Sequence, residues 1–216
     1  MDLDLSPTEE AFRQEFSAWL QENLPAESRA SRLRELPGEE AVALRHAWER
    51  KLGEGRWLGV SWPKEYGGRG ATAMEQVIYL QELLAADAPQ PMDMLGLDMV
   101  GPTLIDVGND EQKRKFLPPM VRGEVVWCQA FSEPNAGSDL AGLQTRAEAD
   151  GDEFVINGQK IWSSEAHHSD WCTVLARTDP EAPKHKGISF FLVDMTSPGI
   201  SLPRSVLLGS LYSTGI

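Results

Sequence analysis

Near residue 124 the chain changes its hydrophobic period, and that change constrains the fold more than any other feature. Before it, apolar residues recur at three- and four-residue intervals behind helix-capping signals. After it, short β-branched and aromatic runs are separated by turn dipeptides. Helices and strands that segregate along a chain build separate layers, so the expected class is α+β. An N-terminal all-α domain over 1–124 is followed by a β-barrel or sandwich domain over 125–216. No low-complexity linker and no internal repeat marks the boundary.

The capping signals set the helices. Ser6-Pro7-Thr8-Glu9 offers an N-cap hydroxyl, a proline at the first helical position and a glutamate that can reach back to the cap. Phe12, Phe16, Trp19 and Leu20 follow at helical spacing until Pro25 stops them. A second helix is expected over 39–54, with Val42, Trp48 and Leu52 inward and Gly53 and Gly55 at its end. From Trp57 to Gly70 the glycines are too frequent for a regular element, which predicts a structured loop. A third helix spans 72–86, the pattern restarts over 92–107 after Pro89 and Pro91, and Asn109-Asp110-Glu111-Gln112 caps a short helix toward Phe116.

In the second half, strands are expected over 145–149, 154–156 and 160–162, joined by Asp150-Gly151 and Asn157-Gly158 into a meander of two hairpins. Residues 171–176 and 188–193 read as further strands. Pro183-Lys184-His185-Lys186-Gly187 is basic but short, the pattern of a solvated hairpin tip.

Composition removes several classes. A chain of 216 residues with 41% hydrophobic content can bury a core. Its 33 acidic and 20 basic residues leave a net charge of -13, which repels phosphate backbones, so no nucleic acid partner is expected. No apolar stretch reaches membrane-spanning length, and Met-Asp-Leu-Asp-Leu lacks the regions of a secretory signal. The expectation is a cytoplasmic protein with no membrane partner. Cys128 and Cys172 sit in apolar runs without metal or disulfide spacing and read as buried thiols. His167 and His168 are neighbours that a strand would turn to opposite faces, and no metal site is expected.

Two segments could carry chemistry. In the run from Trp127 to Asp139 a strand leads into a turn whose Ser132, Gly137 and Ser138 offer hydroxyls and close backbone approach. That suits a ligand with phosphates and a heteroaromatic ring, but a Pro-Asn-Ala-Gly-Ser turn is more often only a turn. In Asn157-Gly158-Gln159-Lys160-Ile161-Trp162-Ser163-Ser164, alternation sends Trp162 and Ser164 to one face. Trp162 is then either a core aromatic or an indole set to pack a ring. Glu133, Asp139 and Glu165 lie near these segments, yet spacing makes no acid–base pair of them.

Together these segments resemble the acyl-CoA dehydrogenase family. The matching pieces are Trp62-Pro63-Lys64-Glu65-Tyr66-Gly67-Gly68, Gln112-Lys113 with Phe116-Leu117-Pro118 and Gly123-Glu124, Phe131 to Asp139, Asn157 to Ser164, Ala176-Arg177-Thr178, and Gly187 to Met195. They cover about residues 5–203 in order. The resemblance implies a helical domain, a β domain and a C-terminal helical bundle enclosing FAD and an acyl-CoA thioester. It places Gln129, Phe131 and Ser132 beside the flavin, with Gly137 in the same turn. Ser138 would lie near the pyrophosphate and the substrate's CoA portion. Trp162, Ser163 and Ser164 would flank the isoalloxazine ring, with the Ser164 hydroxyl near N5.

The reaction implied is α,β-dehydrogenation of the thioester to the 2-enoyl-CoA in lipid metabolism. A carboxylate base removes the α-proton, the β-hydride passes to the flavin, and the electrons go on to an electron-transferring flavoprotein. In relatives that base is a glutamate of the C-terminal bundle, so no catalytic residue is assigned here. The match is expected to fail after about Arg204, leaving the last dozen or so residues atypical and the β domain incomplete, the pattern of a truncated product. Three readings stay open: an oxidoreductase, a catalytically inactive truncated or regulatory binding subunit, or a flavin oxidase or monooxygenase on the same fold. The acyl pocket would draw on residues between Gln90 and Val100, and the resemblance implies homo- or hetero-oligomers.

Overall fold

The computed structural model describes residues 4–202, together with the backbone of 204–205 and 213–214. The rest of the tail, where the atypical ending was expected, lies outside the described residues. The chain divides into two compact units, Met1–Glu124 and Val125–Ile216.

In the first unit, α1 (Pro7–Asn23) begins where the Ser6 hydroxyl accepts the Glu9 N–H and the Glu9 carboxylate accepts the Ser6 N–H at 2.7 Å. Two orphan donors are thereby satisfied. A 3-10 turn at Ala26–Ser28 and α2 (Ala30–Leu33), both too short to show a period, lead to α3 (Gly38–Glu54). Thr72 with Glu75 caps α4 (Ala73–Ala85) in the manner of Ser6 with Glu9. α1 packs on α4, and Phe16 sits 4.3 Å from the Trp57 ring and 4.7 Å from the Tyr79 ring. All three aromatics are buried, the centre of this unit's core.

Two helices depart from expectation. Instead of one regular helix over 92–107, a π-helical turn at Gly96–Val100 precedes α5 (Gly101–Val107). Trp62 accounts for it. Its indole N–H donates to Leu97 O at 2.8 Å, and its ring stands 1.9 Å from where a Cβ on Gly101 would be. A side chain inserted there draws a carbonyl out of the helical ladder, and only glycine leaves room for it. α6 (Asp110–Val121) starts on Asn109 and Gln112 but runs past Phe116 through Pro118 and Pro119. Phe116, Leu117 and Met120 are buried, and their packing outweighs the donors the prolines lack.

In the second unit β1 (Trp127–Ala130) lies parallel to β5 (Trp171–Arg177), in register from Trp127↔Trp171 to Ala130↔Val174. Cys128 and Cys172 therefore face each other across the ladder, both buried and neither in a disulfide. β6 (Ile188–Asp194) pairs antiparallel along all of β5. β2 (Arg146–Asp150) and β3 (Glu153–Asn157) form the first expected hairpin and join β5 through Arg146↔Arg177. A smaller antiparallel sheet has the order β4 (Ser163–Ser164), β8 (Ser213–Thr214), β7 (Arg204–Ser205). The result is a helical unit followed by a mixed-sheet unit.

The second expected hairpin does not form, and residues 160–162 are not a strand. Gly158 is pressed so closely on Thr145 that an added Cβ would lie 2.2 Å from its hydroxyl. Lys160 turns inward, the Ile161 N–H donates to Ser132 O at 2.9 Å, and Trp162 adopts φ 62°. A left-handed residue cannot continue a ladder.

Candidate functional site

The centre of the site is a carboxylate. Glu133 follows β1 and is 7% exposed, and its oxygens accept the N–H of Gln144 at 2.6 Å and of Thr145 at 2.8 Å. The Lys160 ammonium, 3% exposed, donates to Glu133 at 2.9 Å and to Phe131 O at 3.1 Å. Burial alone would raise the Glu133 carboxyl. The Thr145 side chain, the two backbone N–H groups and Lys160 outweigh it and hold the carboxyl at about 2. Burial draws the Lys160 ammonium down, and Glu133 opposes the shift.

Around this pair the two candidate segments come side by side. Glu133 and Ala136 exchange backbone hydrogen bonds at 2.8 and 3.1 Å, a tight bridge beyond which Gly137 and Ser138 are exposed. Gln129, Phe131 and Ser132 are partly buried. Phe131 meets Phe190 of β6 edge to face at 6.0 Å. Trp162 is 63% exposed, which removes its reading as a core residue, and Ser164 is exposed beside it. Ser163, expected with them, is fully buried, so its side chain is not among the accessible groups.

Glu165 repeats the left-handed conformation at φ 61°. Each non-glycine residue held there costs on the order of 1–3 kcal/mol, and two within four positions bracket β4. The basic hairpin tip is exposed as expected, but it is not free, because Lys184 donates to both oxygens of Asp139 at 2.6 and 2.8 Å.

Sequence reasoning passed over Lys160. The available signal was a lysine placed between a tight turn and an Ile-Trp pair, where a solvated residue would have no place in a half-buried run. Glu133 was visible only as a carboxylate near the loop. Among the described residues no group of three or more His, Cys, Asp or Glu is placed to hold a metal, and no helix is long and apolar enough to cross a membrane.

The first unit contains a cavity of about 330 Å³ lined in part by Trp57, Tyr79, Leu80, Met94, Leu97 and Asp98. It lies within the expected 90–100 region and on the π-helical turn that Trp62 holds open. The Asp98 carboxyl is raised by burial.

The helical unit ahead of a mixed-sheet unit agrees with the comparisons. The chain belongs to the acyl-CoA dehydrogenases: the family's N-terminal domain model matches residues 6–124 and its middle domain model matches 128–209. The second match runs past Arg204, where the likeness was expected to stop. Acyl-CoA dehydrogenase IpdE1 of Mycobacterium tuberculosis is 44% identical over 195 residues, 89% of this chain and 51% of that one. The crystal structure of the ChsE4-ChsE5 complex from Mycobacterium tuberculosis gives a TM-score of 0.85 at 34% identity, over 100% of this chain and 54% of that one. The Tcur3481-Tcur3483 steroid ACAD gives 0.84 at 40% identity, over 99% and 55%. The chain thus spans about half the length of these relatives, and the first of the two structures is of a complex.

Proposed function

We propose that this chain is the flavin-binding part of a cytoplasmic acyl-CoA dehydrogenase that converts an acyl-CoA thioester to its 2-enoyl-CoA. The observation that carries the reading is Trp162: a large apolar side chain, 63% exposed, fixed in a strained backbone conformation beside the Ser132 turn. Strain of this kind persists where the surroundings over-determine it, and it clusters at ligand sites. The residues fit FAD. Trp162 offers an indole face for a flat ring, Ser132, Ser138 and Ser164 offer hydroxyls, and a Cβ added at Gly137 would meet nothing within 4 Å, which leaves room for a phosphate to approach.

FAD, when bound, supplies the acceptor for the hydride leaving the substrate's β-carbon. Trp162 would pack against the ring and shield it from water. Ser164 would donate to the flavin, with Ser163 next to it in the chain, and Gln129, Phe131 and Ser132 would lie beside it. Ser138 serves the pyrophosphate and the CoA portion of the substrate. The cavity of the helical unit supports a bulky acyl group, the class for which one structural relative is named, and the relative solved as a complex supports an oligomer. Electrons leave to an electron-transferring flavoprotein.

A second reading, a binding subunit without turnover, is favoured by the carboxylates of the loop. Glu133 and Asp139 are each held by a lysine and neither is placed to remove a proton. The two readings separate on the purified chain. Flavin absorption that bleaches on anaerobic addition of a steroid acyl-CoA, to this chain alone or supplied with the C-terminal half of a relative, supports the enzyme, and bound flavin that bleaches in neither case supports the binding subunit. A chain that neither carries nor takes up FAD overturns both.

A further inference from the structure

Every residue proposed to meet the flavin lies within about five positions of one or the other member of a buried ion pair. Lys160 holds Phe131 O, and Glu133 stands next to Ser132. The backbone bridge from Glu133 to Ala136 sets where Gly137 and Ser138 emerge. Ile161, next to Lys160, donates to Ser132 O and leads directly into the left-handed Trp162. The Glu133 oxygens also hold Gln144 and Thr145, on which Gly158 is packed. The pair therefore joins the 131–138 turn to the 158–164 segment, which are not neighbours in any β ladder at these residues.

Stability does not explain such a pair. Desolvating two charges costs about what their attraction returns, and volume-matched apolar or neutral replacements of both partners are often neutral or stabilising. What an ion pair with fixed donors and acceptors does provide is geometry. Lys160 donates to two acceptors on the 131–138 turn, and Glu133 accepts from Lys160 and from the backbone N–H of Gln144 and Thr145.

We propose that Glu133 and Lys160 are positioning residues that set the separation of the Ser132 turn from the Trp162 indole, and through it the affinity and environment of the bound flavin. The inference rests on the flavin reading for its consequence, but the clamp itself is testable without it. The test is the double variant Glu133→Gln with Lys160→Met in the full chain, compared with wild type for thermal midpoint, FAD affinity, flavin visible circular dichroism and site-resolved amide exchange.

The expected result is a midpoint within a few degrees of wild type, FAD binding weakened at least tenfold, and an altered flavin dichroism. FAD affinity within twofold of wild type, with an unchanged flavin spectrum, overturns the proposal. If the wild-type chain binds no FAD, the flavin reading falls, and the clamp is judged on exchange alone. Amides of 131–138 and 158–164 exchanging at least tenfold faster, with the rest of the sheet unchanged, support it, and unchanged or uniformly faster exchange overturns it. Should the double variant not fold, Lys160→Arg retains the charge without reproducing both Nζ contacts and is read on the same scale.

Discussion

Glu49 in the helical unit and Glu133 in the sheet unit are both buried, and both accept two backbone N–H groups, yet their carboxyls are shifted in opposite directions. Glu49 takes the N–H of Met92 at 2.6 Å and of Asp93 at 3.2 Å. Burial dominates and pushes its carboxyl above the usual range, with Met92, Asp93 and Arg45 opposing. Glu133 has the Lys160 ammonium in contact and is held at about 2. The first carboxylate braces a turn against an aromatic core. The second stands beside two left-handed residues and an exposed indole. Left-handed non-glycine residues occur in both units, Arg56 and Asp87 in the first and Trp162 and Glu165 in the second, and what sets the second apart is that one of them carries an exposed indole.

The sharpest way to break this comparison is to remove one charge. Lys160→Met leaves Glu133 buried without its cation and should cost the sheet unit about 3–5 kcal/mol in urea unfolding, most of it restored by adding Glu133→Gln. Equal losses for the single and double variants would contradict the account.

Acid should separate the units next. The folded value of Glu133 lies below its ordinary 4.5, so the unfolded chain takes the proton first. Its contribution, about 3 kcal/mol at most, is complete above pH 4.5 and is lost as pH falls toward 2. Glu49 is raised, so its folded form takes the proton first, and its local stability increases as pH falls toward the ordinary value. Amide exchange corrected for intrinsic rates should show the sheet unit opening first on acidification. Simultaneous loosening of the Met92 turn would count against the difference.

Packing tests are smaller. Gly101→Ala puts a methyl into the Trp62 ring and should destabilise the helical unit by roughly 1–3 kcal/mol by thermal melting, because a filled core has no room to yield. Smallest, and opposite in sign, Trp162→Gly should raise the midpoint of the sheet unit by about 1 kcal/mol equivalent, since it releases left-handed strain while giving up little burial.

The units also differ in how far they were legible. Ser6, Thr72 and Asn109 announce their helices because capping is local chemistry between residues three apart. The π-helical turn was not legible, since its cause is Trp62, far off in sequence. The Asn157-Gly158 pair promised a hairpin, and tertiary contacts at Thr145, Glu133 and Ser132 diverted the chain instead. That same diversion exposes Trp162, so the local rule fails where the candidate site is built.

The account turns on the indole of Trp162 meeting a flat ring, and titration of FAD into the wild-type chain and into Trp162→Ala measures that contact directly. Wild type should quench flavin fluorescence on binding, and the variant should bind at least tenfold more weakly with the quenching lost. Equal affinity and equal quenching in the two proteins would contradict it.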